Sequence, residues 1–293
     1  MWVEMVIRVK LLARWLYHLI KALVICVAAS AFWGCASIAQ KAKPLSTGVI
    51  SERILTDGGQ TAYVVTVELD KVKLTLVRAQ SKSGLETPTS LAQRSDAIAA
   101  INGGFFTKEG RPVGALKIDG AWHSLPSKLR GVFGFNQNGE TFFDRLGQHE
   151  GHMYNSPQKL AMDEWWERAE NIIGGAPLLI SGSLALDPSP ERTLESFLTA
   201  TYARTAICRC QNNRLKFVVI NGGDHTANKF WPKSGMSIGQ LTQFLLSMGC
   251  TDALNLDGGY SSSFIELGRR LNSFSISFLP ERKVATVLAV TRK

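Results

Sequence analysis

Three short segments combine an apolar strand-like run, a carboxamide or carboxylate, and two glycines. Paired glycines permit positive φ and close backbone approach, and successive N–H groups in such turns form nests for anions. We interpret these Gly-Gly elbows as strand ends that gather at one pocket, where the side chains hold sugar hydroxyls, orient water or transfer protons. The alternative is three ordinary tight turns, since Asn-Gly and Asp-Gly are common turn dipeptides. The elbows are Asn102-Gly103-Gly104, Asn221-Gly222-Gly223-Asp224 and Asp257-Gly258-Gly259.

Arg204 begins another strand-like run, where a guanidinium can fork onto a phosphate. The alternative is a strand arginine in a surface ion pair. In a regular strand Arg204 and Thr205 point to opposite faces, so both reach one ligand only if the chain bulges there. The sequence contains neither a Gly-x-Ser-x-Gly elbow nor a Walker loop, which leaves serine hydrolases and P-loop NTPases without support.

The elements that position these residues are mostly strands. Alternation over 61–69 and 72–77 predicts a hairpin with Asp70-Lys71 as its two-residue turn. Helical patterns are few: 89–94, an amphipathic stretch over 158–170, and 237–248 with Ser237 as N-cap and Gly249 at the C-cap position. We therefore expect an α+β fold, a curved mixed β-sheet holding a few helices, as a single catalytic domain over 49–293 after a linker at 40–48.

The N-terminal segment predicts export. A basic stretch precedes an apolar run that is short for a bilayer span, so we interpret 1–39 as a signal segment. Cys35 resembles a lipobox cysteine, which would carry lipid and tether the chain to the membrane of a bacterial cell envelope. Cleavage by ordinary signal peptidase near residue 39 and an uncleaved anchor are the alternatives. The net charge is +9, but the Lys and Arg residues are scattered along the chain and do not form a basic stripe, which argues against nucleic acid as a partner.

Three cysteines lie beyond the signal segment: Cys208, Cys210 and Cys250. No second CxxC or His pair completes a zinc site. We expect three buried, small apolar residues, and the alternative is one disulfide from Cys250 in an oxidising compartment.

Four blocks in order resemble the phosphodiester glycosidase family, whose domain occurs in many bacterial exported proteins and in the mammalian enzyme that uncovers mannose 6-phosphate. The blocks are 102–106, 173–178, 204–207 and 256–262. Cys208 stands where the family usually has Gly, 221–224 where it has a Gly-rich Asp-Gly-Arg block, and Tyr260 where a third Gly is frequent. These departures bear on the substrate more than on the fold.

The resemblance implies hydrolysis of a sugar-1-phosphodiester at the anomeric carbon. Asp257 is then the first candidate for the catalytic carboxylate, Asp224 the second, and Arg204 assists the departing phosphate, while Asn102 and Ser261 place the sugar or the phosphate. The remaining candidate substrate contacts are Gly103, Gly104, Thr205, Asn221, Gly222, Gly223, Gly258 and Gly259.

Other readings stay open at this point. A divalent cation such as calcium beside the carboxylates is compatible with the resemblance, but the sequence has no dedicated loop for it. The rival from another class is a non-catalytic envelope protein that binds a glycan in the same pocket. A phosphodiesterase acting at phosphorus is weaker, since it would need clustered His and Asp metal ligands that the sequence does not show.

Overall fold

The computed structural model describes residues 39–222, 235–272 and 280–293. The strands of this part are β1 (Ala39–Ser46), β2 (Val49–Leu55), β3 (Thr61–Glu68), β4 (Val72–Arg78), β5 (Ala99–Asn102), β6 (Leu116–Ile118), β7 (Ala121–Ser124), β8 (Arg130–Phe135), β9 (Thr141–His149), β10 (His152–Tyr154), β11 (Asn171–Gly174), β12 (Leu178–Ser181), β13 (Leu184–Ala185), β14 (Arg204–Cys210), β15 (Arg214–Ile220), β16 (Cys250–Asn255), β17 (Phe264–Glu266), β18 (Arg269–Arg270) and β19 (Thr286–Arg292). The α-helices are α1 (Pro88–Arg94), α2 (Trp165–Arg168), α3 (Glu195–Thr199) and α4 (Ile238–Ser247), and single 3₁₀ turns cover Ser189–Glu191 and Gly259–Ser261.

The strands form three sheets. Their orders are β1-β2-β3-β15-β14-β16-β12-β13 in the eight-stranded sheet, β10-β9-β8-β11-β6-β7 in the six-stranded sheet and β18-β17-β5-β19-β4 in the five-stranded sheet. Every strand pairing in the described residues is antiparallel, so the mixed sheet expected from the sequence is wrong. The α+β expectation holds only in part, because short helices accompany a structure dominated by strands.

The principal core lies between the sheets. It joins buried side chains from all three of them, for example Phe217 of the eight-stranded, Phe133 of the six-stranded and Phe264 of the five-stranded sheet. The helices cover outer faces. Leu241 and Leu245 of α4 pack on the eight-stranded sheet, and Leu91 of α1 packs with residues of the five-stranded sheet. Burial of apolar surface on both faces explains why several strands read as nearly continuous apolar runs.

The hairpin expected from 61–77 is not formed. Both strands exist, but β3 pairs with β2 and β15, whereas β4 pairs with β19. A turn in which Lys71 N donates to Glu68 O (3.0 Å) carries the chain from one sheet to another. Alternation predicts a strand and its buried face, but it does not identify the strand's partner.

The helix predictions had different outcomes. Helix α4 is confirmed, with Ser237 and Gln240 forming a capping box and Gly249 at φ +76 after the last turn; α1 is confirmed with Thr87 as its N-cap. The helix over 158–170 is wrong, because only α2 is helical there. Upstream, the Ser156 hydroxyl pairs with both the N–H and the carbonyl of Leu160, so a local side-chain turn replaces the helical bonds.

The segment expected to be a linker is structured. Most of residues 40–48 belong to β1, which pairs with β2 along one edge of the eight-stranded sheet. Cys35 and the rest of 1–38 lie outside the described residues. Within the described part of the chain, no helix has the length and apolar character needed to cross a membrane.

A disulfide joins Cys208 of β14 to Cys250 of β16, and Cys210 is a free thiol beside it. The expectation of three unpaired cysteines is therefore wrong. The two half-cystines lie on neighbouring strands, where the register brings β14 and β16 together near a bulge between Arg209 and Cys210.

The disulfide predicts a loss of stability when it is removed. The bond closes a loop with a sequence separation of 42 residues, so chain entropy predicts that Cys208→Ser together with Cys250→Ser lowers the free energy of unfolding by about 2–4 kcal/mol. Urea denaturation without reductant measures this. Cys210→Ser is the control and should change stability much less. Equal free energies of unfolding for the double variant and for Cys210→Ser would contradict the prediction.

Candidate active site

The described start of the second elbow, Asn221-Gly222, and the third elbow follow neighbouring strand ends on the same side of the eight-stranded sheet. Strand β14 runs between β15 and β16 and is antiparallel to both, so its first residues lie beside the ends of those two strands. Arg204 pairs with Ile220, and Ala206 pairs with Asn255. Strand β5, which leads into the first elbow, belongs to the five-stranded sheet. A link between sheets is therefore needed to bring the first elbow to the other two.

Asn102 provides that link. Its side chain is buried, with 1% of the residue exposed. The carbonyl oxygen Oδ1 accepts from Thr205 Oγ1 (2.7 Å) and from Ser263 N (3.0 Å), and Nδ2 donates to the main-chain oxygens of Asp257 (2.7 Å) and Gly103 (3.3 Å). A carboxamide has two donor hydrogens and two acceptor positions, so all four are used within the protein. Asn102 and Thr205 therefore stabilise the junction between the elbows, and their contact with a substrate stays a prediction.

The first and third elbows are also joined through the main chain. Asp257 N donates to Gly103 O (3.3 Å), and Gly259 N donates to Ala203 O (2.8 Å). A Cβ at Gly103 would overlap the Thr286 hydroxyl, one at Gly104 would overlap the carbonyl of Gly174, and one at Gly258 would lie 2.7 Å from Ala203 O. These three glycines thus allow close packing of protein segments. Of the described elbow glycines, Gly259, at φ +59, is the one that needs the left-handed region.

Asp257 is the carboxylate that this framework presents. It follows β16 and is half-buried. Burial raises the pKa of its carboxyl above the ordinary value; the hydrogen bond from Ser261, the positive charge of Arg282 and the N–H of Gly258 act in the opposite direction. A partly buried carboxylate whose pKa is shifted upward by desolvation, with hydroxyl, amide and cationic groups beside it, is suited to acid–base or nucleophilic work.

Arg282 is a site residue that the sequence reasoning missed. It is exposed, its guanidinium lies 5.7 Å from the ring centroid of Phe106, and its charge acts on Asp257. Phe106 belongs to the block that begins at Asn102, so Arg282 reaches the joined first and third elbows from a distant part of the chain. Its charged neighbours in sequence are typical of a surface loop, and no local pattern distinguishes it.

The guanidinium of Arg204 donates to main-chain carbonyls, whereas the sequence analysis expected it to bind a phosphate with two of its nitrogens. Strand β14 is regular at this point, and Arg204 points to the face opposite Thr205. Its Nε donates to Met236 O (2.8 Å), and its Nη2 donates to the carbonyls of Phe197 (3.0 Å) and Ala200 (2.7 Å). Burial lowers the pKa of its guanidinium to about 10, which leaves it charged at neutral pH. Only Nη1, which is also buried, lacks a hydrogen-bond partner among the described residues.

The second elbow is described only in part. Asn221 and Gly222 are half-buried, and Asn221 N donates to Thr61 O (2.8 Å). Gly223 and Asp224 lie outside the described residues, and the role of Asp224 as second carboxylate stays a prediction.

Metal ligation has one candidate cluster in the described part of the chain. The sulfurs of Cys208, Cys210 and Cys250 lie within 4.8 Å of one another, but two of them form the disulfide. Sulfur ligands suit soft metals, whereas calcium takes oxygen ligands, and Asp257 is not grouped with a second described carboxylate. A calcium ion beside the carboxylates stays a prediction.

The network around Asn102 predicts a large effect of its removal. Asn102→Ala leaves Thr205 Oγ1, Ser263 N and the Asp257 carbonyl without partners in a buried place, so we expect the free energy of unfolding to fall by about 2–4 kcal/mol. Urea denaturation measures the change. Asn138→Ala, at an exposed turn, is the matched control and should change stability by less than about 0.5 kcal/mol. Equal losses of stability in the two variants would show that the hydrogen bonds of Asn102 do not stabilise the fold.

Solved structures support the fold. A hypothetical protein from Synechocystis aligns with a TM-score of 0.73 at 20% identity, over 88% of this chain and 64% of that one. The zebrafish N-acetylglucosamine-1-phosphodiester alpha-N-acetylglucosaminidase catalytic domain, auto-inhibited by its pro-peptide, aligns with a TM-score of 0.62 at 18% identity, over 89% of this chain and 85% of that one.

Sequence comparisons identify the family. The chain is 25% identical over 221 residues to the Bos taurus N-acetylglucosamine-1-phosphodiester alpha-N-acetylglucosaminidase and 27% identical over 217 residues to the Homo sapiens enzyme, in each case over 70% of this chain. It spans 38% and 39% of the length of those relatives. The family model for phosphodiester glycosidase matches residues 95–291, which include both joined elbows and Arg282. The chain therefore belongs to the phosphodiester glycosidase family.

Proposed function

We propose that this protein hydrolyses a sugar-1-phosphodiester at the anomeric carbon and releases a free sugar and a phosphomonoester. The observation that carries the proposal is the half-buried Asp257 carboxylate, which the Asn102 network holds beside Ser261 and Arg282. Family membership and the relatives' names support the reaction class, and they make N-acetylglucosamine the first sugar to test.

The chemistry suits a site with one ionised carboxylate. Water forms a bond to the anomeric carbon, and the bond between that carbon and the phosphate oxygen breaks with its electron pair going to the phosphate. The phosphate is a weakly basic leaving group, so protonation by a general acid is less important than in an ordinary glycoside. Asp257 acts in its ionised form, either taking the proton of the attacking water or attacking the carbon itself.

Cationic groups assist the departing phosphate. Arg282 is exposed beside Asp257, where it can contact phosphate oxygens from solvent. Arg204 is the second candidate cation, and its buried Nη1 has no partner among the described residues. Fixed donors and charges aimed at developing negative charge lower the barrier without reorganising during the reaction.

We also propose that the protein acts outside the cytoplasm, attached to or released from the membrane by its N-terminal segment. The basic and then apolar order of 1–39 supports export, and Cys35 supports lipidation. The disulfide between Cys208 and Cys250 supports an oxidising compartment.

The direct test is hydrolysis of a panel of sugar-1-phosphodiesters in water labelled with ¹⁸O. We expect the label in the sugar hydroxyl and a fall in kcat of about 10²-fold or more in Asp257→Asn, which keeps the shape and removes the charge. Asp70→Asn, in the turn after β3, is the matched control and should retain activity. Label in the phosphate would show attack at phosphorus, and binding without turnover would favour the non-catalytic glycan-binding protein; each would overturn the proposal.

The charge of Arg282 predicts a shift of the pH profile. Burial raises the pKa of Asp257, so the acid limb of kcat/KM should lie above the ordinary aspartate range of about 4. Arg282 stabilises the ionised form, so Arg282→Gln should raise this pKa further, and activity should be lost at a higher pH than in the wild type. Arg282→Lys keeps the charge and should leave the limb nearly in place. An acid limb at the same pH in wild type and Arg282→Gln would contradict this electrostatic role.

A further inference from the structure

A cavity of about 330 Å³ lies beside the first elbow. Its apolar wall is formed by Phe105, Val113, Leu194 and Phe197. Val113 is 52% exposed and Leu194 is 73% exposed, so large apolar side chains face solvent at this opening. The volume falls within the range of small-molecule sites, and exposed apolar surface grouped around a concavity is typical of a binding site.

The same cavity carries positive charge. Lys128, Arg130 and Arg192 line it, and no carboxylate is among its lining residues. None of these three cations forms an ion pair with an acid in the described part of the chain. Thr193 also lines the cavity, and its buried hydroxyl has no hydrogen-bond partner among the described residues. Unpaired cations over an apolar wall match a ligand that is both anionic and apolar.

The cavity adjoins the candidate active site through two of its wall residues. Phe105 directly follows Gly104, in the elbow whose Gly103 carbonyl accepts from Asp257 N (3.3 Å). Phe197 stacks under Arg204, with the guanidinium carbon 4.7 Å from the ring centroid. A phosphodiester whose phosphate lies between Asp257 and these residues can extend its far side into the cavity.

We propose that this cavity is the subsite for the alcohol moiety of the phosphomonoester that leaves, and that this moiety is an anionic amphiphile: an apolar segment of several carbons with a second negatively charged group. The inference rests on the proposed function, because it places the reacting phosphate beside Asp257. The apolar segment contacts Phe105, Leu194 and Phe197, and the second anion is bound by Lys128, Arg130 and Arg192.

Calorimetric binding of product-like phosphomonoesters tests this without requiring turnover. The probes are methyl phosphate, hexyl phosphate and hexane-1,6-diol bisphosphate. We expect affinity to rise about tenfold from methyl to hexyl phosphate, through burial of the chain, and about tenfold again for the bisphosphate, through the second anion. Leu194→Gln should reduce the gain in affinity from methyl to hexyl phosphate. Lys128→Gln with Arg192→Gln should abolish the further gain for the bisphosphate and leave the gain from methyl to hexyl phosphate unchanged.

Lys73→Gln with Lys82→Gln removes the same amount of charge from exposed positions elsewhere and is the matched control. In this control, both gains in affinity should be unchanged. Equal affinity for all three probes, or equal loss in the control, would overturn the subsite. If the protein hydrolyses sugar-1-phosphodiesters but shows no preference for those whose alcohol moiety is an anionic amphiphile, the subsite is overturned while the proposed function stands. If no phosphodiester is turned over but the bisphosphate still binds more tightly than the other two probes, the proposed function is refuted and the ligand class of the cavity stands.

Discussion

The buried carboxamide of Asn102 fixes how the strand ends of two sheets meet. Three of its four hydrogen bonds connect β5 to the second residue of β14, to Asp257, the second residue after β16, and to the residue before β17; the fourth goes to the adjacent Gly103. Each partner is a polar group withdrawn from water, and an unsatisfied group there would cost stability. The same bonds therefore stabilise the junction and set the position of the Asp257 main chain.

The paired glycines make this junction compact. Segments from different sheets approach so closely at Gly103, Gly104 and Gly258 that a Cβ would overlap or crowd a neighbouring oxygen. Close packing leaves the Asp257 side chain half-buried, with Ser261, Gly258 and Arg282 acting on its charge. On the other face of β14, Arg204 donates to the carbonyls of Phe197 and Ala200 and to that of Met236, so it joins α3 to the segment before α4. The Asp257 carboxylate and the cavity beside the first elbow thus depend on one packed framework.

The sequence predicted those parts of the structure that depend on local chemistry. The N-cap of α4 at Ser237, the strands before the elbows and the opposite directions of Arg204 and Thr205 follow from period and side-chain type. Pairing was not predictable in the same way: β4 pairs with β19 instead of β3, because any alternating strand can pair with another. The segment expected to be a linker forms β1, a polar strand at the end of the sheet that is held by its pairing with β2 and carries no apolar pattern. Arg282 was missed because only the tertiary fold brings it to Asp257.

Hydrogen exchange of the Ser263 amide tests the central claim most directly. This N–H donates to Asn102 Oδ1 and is buried at the junction of the sheets. If the Asn102 network holds the sheets and the site together, the amide should exchange only by global unfolding, with a protection free energy equal to that of the whole domain. Rapid exchange of Ser263 while the core amides of β14 and β15 stay protected would show that the junction opens by itself, and this would contradict the account.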